Sequence, residues 1–80
     1  MFLGWFDDTP KKATADKLEE AIERYLMKFG ESPDLCLVNQ KDLVAREDID
    51  IRVVEYVRPN HFWIGKAESL PAGAVPPRAA

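Results

Sequence analysis

The chain has 80 residues, of which 46% are hydrophobic and 31% charged, with a formal net charge of −3. That length supports one small domain, burying about 60–65% of the surface its unfolded form exposes. The apolar content excludes a disordered chain, and the acidic balance argues against binding nucleic acid by counterion release, which needs a basic face.

The amino-terminal Met1-Phe-Leu-Gly-Trp-Phe6 is apolar but has no basic flank. It is too short for a signal sequence or a membrane span, so no membrane association is expected. Gly4-Trp-Phe6 reads either as a fourth strand or as a hydrophobic arm packed on the first helix. That helix carries the clearest periodicity: Leu18, Ala21, Ile22, Tyr25, Leu26 and Phe29 form one apolar stripe. Asp16, Lys17, Glu19, Glu20, Glu23, Arg24 and Lys28 take the other face. Thr14 is the expected N-cap, Asp16 suits the first turn, and Gly30 and Pro33 end the helix. Glu20 and Arg24 are spaced for an i, i+4 ion pair worth about 0.3 kcal/mol.

Leu35-Cys-Leu-Val38 follows as an unbroken apolar run, which predicts a strand buried on both faces. Asn39 is placed to cap a short helix over Gln40–Arg46, with Asp42 in a capping-box position and Leu43 and Val44 as anchors. Ile49–Arg58 then alternates as a strand whose core face is Ile49, Ile51, Val53 and Val57. Glu55 breaks that alternation and predicts a bulge, a sheet edge or a functional intrusion. Arg58-Pro-Asn-His61 is a turn, and Phe62–Lys66 returns as the hairpin partner. Residues 67–80, rich in Pro and Ala, predict a disordered or extended tail after a single domain over 1–66. The expected architecture is α+β: one amphipathic helix on a three- or four-stranded mixed sheet, in the order (β)–α–β–α–β–β, with a C-terminal hairpin.

Four groups of residues could carry chemistry. Cys36 is the lone cysteine, so no intramolecular disulfide forms and a Cys-based zinc centre is not expected. This predicts a reducing compartment and a cytoplasmic protein. Between two leucines, Cys36 reads as core rather than nucleophile. His61 is the only histidine, and its turn supplies neither an orienting carboxylate nor a nucleophile. Asp7, Asp8, Glu47, Asp48 and Asp50 form two acidic clusters, but Glu47-Asp-Ile-Asp50 lacks the glycine turn of a calcium loop. Arg52, Arg58, Lys66, Tyr56 and Trp63 could form a basic-aromatic face of the kind that stacks single-stranded nucleic acid. Asp50 and Glu55 in the same strand oppose that use.

Two stretches carry a likeness to known proteins. Ala21-x-x-x-Tyr25-x-x-x-Phe29-Gly-x-x-Pro33-x-x-Cys-Leu-Val-Asn39, followed by Tyr56-Val-x-Pro59-x-x-Phe-Trp-Ile-Gly65, resembles a small bacterial α+β domain family of unknown function. That resemblance spans Trp5 to Gly65 and implies no activity. The order of elements is also similar to the axial domain of tailed-phage major capsid proteins. The remainder of a capsid subunit is not here, and fold analogy alone does not set function.

Surplus aromatic residues are therefore the main functional signal. A core of this size has little room for Trp5, Phe6 and Trp63 beside the helix stripe and the strand residues, and surplus aromatics mark contact surfaces. The expectation is a non-catalytic protein-interaction or assembly module whose partner is another protein or a second copy. Trp5, Phe6, Tyr56, Arg58, His61 and Trp63 are the candidate contacts. No catalytic residue, metal, cofactor or small-molecule substrate is expected. The alternatives are single-stranded nucleic-acid binding through the hairpin face, and a non-catalytic subunit of a larger enzyme.

Overall fold

In the computed structural model, which describes residues 2–70, the periodic segment forms helix α1 (Thr14–Phe29). Its apolar stripe is realised with two changes. Leu18, Ala21 and Tyr25 are fully buried, whereas Leu26 lies on the flank of the stripe and stays half exposed. Lys17, expected on the solvent face, falls in line with Ala21 and Tyr25 at four-residue spacing and is buried. Thr14 is the first helical residue and not the cap: that position is taken by Ala13, which makes no side-chain capping bond. Gly30 closes the helix as expected, at φ 75° with its N–H on the Leu26 carbonyl.

The amino-terminal segment is a strand, β1 (Phe2–Phe6), and the sheet also contains β2 (Leu35–Val38), β3 (Asp50–Val53) and β4 (His61–Gly65). All four are in one mixed sheet of order β1-β4-β2-β3. β4 runs antiparallel to both neighbours and β3 parallel to β2. The α+β class and the element order are as the sequence predicts. The last two strands run in opposite directions, as hairpin strands do, yet they do not pair, because β2 lies between them.

Three local readings change for stated reasons. The helix expected over Gln40–Arg46 is a single 3₁₀ turn, Gln40–Asp42. Asn39 caps it through Lys41 N–H, but the Asp42 carboxylate turns inward and accepts the Asn60 N–H at 2.7 Å instead of the Asn39 N–H. Val44 packs on the core while Leu43 remains exposed. The strand expected over Ile49–Arg58 ends at Val53. Val54 still donates to the Val38 carbonyl, then the chain turns, and Asn39 Nδ2 holds the loop through the Val57 carbonyl at 2.9 Å. Glu55 therefore breaks the alternation because the strand is over; it is exposed in that turn.

Two hydrophobic clusters sandwich the sheet. Under α1, Leu18, Ala21 and Tyr25 meet Cys36, Val38, Ile49, Ile51, Phe62 and Ile64, with Leu3, Trp5 and Val53 at the margin. On the other face, Leu35 and Leu37 are covered by Val54 and Val57 from the β3–β4 loop, with Phe2, Ala67 and Leu70 at the margin. Val57 belongs to this second cluster and not to the helix side. All four residues of β2 are buried, as an uninterrupted apolar run predicts. Part of the expected tail belongs to the domain: Ala67–Ser69 make a 3₁₀ turn and Leu70 packs on the second cluster. The rest of the expected tail, 71–80, lies outside the described residues.

Asn60 ties these parts together. Pro59 and Asn60 are the centre of a turn closed by His61 N–H on the Arg58 carbonyl, and Asn60 takes φ 68°. Its Oδ1 accepts from buried Lys17 at 3.0 Å, its carbonyl from Asp7 N–H, and its N–H goes to buried Asp42. Asn60→Ala removes the Lys17 acceptor and replaces a residue type that tolerates positive φ with one that does so less readily. We expect it to lower unfolding free energy by about 2–3 kcal/mol in urea titrations. Asn60→Gly, which keeps the backbone geometry, should cost about half as much. Equal losses in the two variants would show that the backbone conformation contributes nothing.

Candidate functional site

Alternation along β1 and β4 decides which side chains reach the helix-free face. Leu3 and Trp5 of β1, with Phe62 and Ile64 of β4, point to α1. Phe2, Gly4 and Phe6, with His61, Trp63 and Gly65, therefore share the opposite face. The register sets Gly4 beside Trp63 and Phe6 beside His61. The Phe6 and His61 rings are 4.6 Å apart at 40°, a tilted contact. Trp63 lies over Gly4: a β-carbon added there would meet the indole at 3.6 Å, an ordinary van der Waals contact.

The second cluster covers the β2 half of this face and reaches Phe2 at the start of β1. Over β1 and β4 the aromatic residues remain open: Phe6 is 55% exposed and Trp63 44%. Tyr56, at 75%, and Arg58 lie exposed in the loop leading to β4. The structure thus gathers Phe6, His61 and Trp63 into one patch, with Tyr56 and Arg58 on the adjoining loop. Trp5 is on the other face, half-buried against the core, with the Arg24 guanidinium 5.6 Å from its ring centre. Arg24 is there and not with Glu20, whose carboxylate is taken by Lys12.

The remaining basic residues do not join the patch as an open cationic surface. Arg52 is in register with Leu37 but is bound to Asp50 at 2.6 Å. Arg46 is held between Glu19 and Asp48. His61 Nδ1 contacts the Pro59 carbonyl at 3.1 Å, which fixes the ring against Phe6. Among the described residues, no group of three or more His, Cys, Asp or Glu is placed to hold a metal ion. No helix among them is long and apolar enough to cross a membrane. Comparison with known proteins finds no matching family model, no matching curated protein and no matching solved structure.

Of the titratable groups that are displaced, Cys36 and Asp7 bear most directly on the site. Burial pushes the Cys36 thiol up to about 12, so at neutral pH it is neutral and shielded. Asp7, directly after Phe6, accepts from Lys12 at 2.7 Å and from Thr9, which holds its carboxyl well below the usual carboxylate range. This clamp anchors the end of β1 next to the Phe6–His61 contact.

Both shifts have measurable consequences. Cys36 should resist an aromatic disulfide reagent in the folded protein and react only at the rate of unfolding. Prompt reaction in native buffer would place the thiol at the surface. For Asp7 the folded pKa lies below the unfolded one, so its contribution is complete above the ordinary value of 3.8. It is lost as pH falls through the lower, folded value. The gap in urea midpoint between wild type and Lys12→Met should therefore be constant above about pH 5 and shrink toward about pH 2. A pH-independent gap would assign the role of Lys12 to its aliphatic packing.

Proposed function

We propose that this domain is a non-catalytic protein-interaction or assembly module that binds through the β1/β4 half of its helix-free sheet face. The observation that carries the reading is the open patch of Phe6, His61 and Trp63. These rings are held in place by strand register and by the clamp on Asp7, so little conformational freedom is lost when a partner covers them. Contact surfaces rich in tryptophan, tyrosine and arginine are where binding energy concentrates, and Tyr56 and Arg58 supply the polar rim. The partner is another protein or a second copy packed sheet face to sheet face. Cys36, the one thiol of the chain, is neutral and buried, which favours a binding role over covalent chemistry through that thiol.

One observation favours a second reading. Exposed rings on neighbouring strands, with Arg58 in the adjoining loop, form a platform on which unpaired bases could stack. The net charge of −3 and the pairing of Arg46 and Arg52 with carboxylates weigh against it.

Sedimentation equilibrium over a wide concentration range, on wild type and on Phe6→Ser with Trp63→Ser, tests the leading reading. The double variant should stay folded, with a loss of about 1–2 kcal/mol, because both side chains are largely outside the core. It should associate at least tenfold more weakly than wild type. Unchanged association in the double variant would sink this surface as the interface. A wild type that is monomeric throughout would rule out the second copy and leave an external protein. Titration with a mixed single-stranded oligonucleotide at low salt addresses the second reading, since its electrostatic contribution is largest there.

A further inference from the structure

The two edges of the sheet are treated differently by the sequence. β3, at one edge, is only four residues long and carries Asp50 and Arg52, and Arg46, Glu47 and Asp48 precede it. Charges and shortness of this kind keep a second strand away. β1, at the other edge, reads Phe-Leu-Gly-Trp-Phe, with no charge and no proline. Nothing in its own sequence guards it.

The ladder to β4 shows which of its backbone groups are open. Asp7 N–H donates to the Asn60 carbonyl, and bonded pairs alternate along an antiparallel ladder. Residues in step with Asp7 therefore bond to β4, and the N–H and C=O of Gly4 and Phe6 face outward. Gly4 is exposed and presents no side chain there, which is where another backbone can approach closely.

A groove of about 360 Å³ runs beside this edge, between Leu3, Gly4 and Trp5 on one side and Arg24, Met27 and Lys28 of α1 on the other. Met27 is 77% exposed, a pliable apolar wall. Arg24 and Lys28 form no ion pair among the described residues; they rest over the rings of Trp5 and Phe29. The Trp5 Nε1 is buried and has no acceptor among the described residues.

We infer that β1 and this groove receive an extended acidic segment of another protein as a fifth strand of the sheet. The open N–H and C=O groups of the edge select a β-strand, Met27 takes an apolar side chain, and Arg24 and Lys28 select carboxylates on it. A second copy fits less well. Two β1 edges paired about a two-fold axis would set the helices side by side, with both copies' Arg24 and Lys28 facing across it. This surface shares only Phe6 with the aromatic patch, through its backbone and not its ring, and does not depend on that reading.

The test uses the full chain labelled with ¹⁵N and two blocked peptides, one alternating Val with Glu and one alternating Val with Lys. We expect saturable shifts at Gly4 and Phe6 with the Glu peptide alone, and amide exchange at those two positions slowed about tenfold or more. Charge reversal at the exposed helix positions, Arg24→Glu with Lys28→Glu, should move the preference to the Lys peptide. Four results would overturn the inference: no binding at about 1 mM peptide, a weak millimolar limit; equal binding of both peptides; shifts centred on Trp63 instead of Gly4; and slowed exchange at Gly4 that rises with protein concentration in the absence of peptide, which would assign the edge to a second copy. A shift pattern at Trp63 would support the aromatic patch, so the two surfaces succeed or fail separately.

Discussion

Everything in this domain rests on the insertion of its last strand between two earlier ones. β4 pairs with β1 on one side and β2 on the other, so the sheet has no continuous hydrogen bonding until β4 is in place. Phe62 and Ile64 of β4 are wholly buried beneath α1. The strand must enter at one register, since a slip of one residue would bring His61 and Trp63 into the core and expel those two. Asn60 sets that register from one backbone position, holding the helix through Lys17, the 3₁₀ turn through Asp42 and the end of β1 through Asp7.

The shape of the surface follows from an imbalance of parts. One helix about 10 Å wide lies on four strands spaced about 4.8 Å apart, and it closes one face only with help from Val44 and Ile49. Among the described residues no α-helix covers the other face. Its β2 side is closed by Val54 and Val57, because the chain must cross there to pass from β3 to β4, and by Leu70 after β4. Among the described residues no connection crosses the Phe6 and Trp63 part of the β1/β4 side, and those two rings stay exposed. The same connectivity leaves β1 at an edge, beside the helix flank that carries Arg24 and Lys28.

Helix α1 and strand β2 were legible in the sequence because each carries a signal longer than its own noise. About three turns of apolar periodicity and a terminal glycine define the helix, and four apolar residues in a row define a strand covered on both sides. The Pro59-Asn60 turn was legible for the same local reason. Lys17 was not: nothing in its neighbours says that an asparagine 43 positions away will accept its hydrogen bond. The end of β3 was not legible either, since Val54, Tyr56 and Val57 continue a plausible alternation after the strand has stopped. Of the six proposed contact residues, Phe6 and His61 meet directly, Trp63 joins them through the register, and Trp5 falls on the opposite face.

By itself, then, the sequence determined the class of the protein, the identity of its main elements and the fact that it carries more aromatic surface than its core can hold. Those properties depend on composition and on periodicities of two and 3.6 residues, which are local. Tertiary structure alone decided that β4 separates β1 from β2, and with it which aromatics share a face and which strand edge stays open. Strand order is set by contacts between segments far apart in the chain, and the alternation of a strand names its two faces without saying what will lie against either.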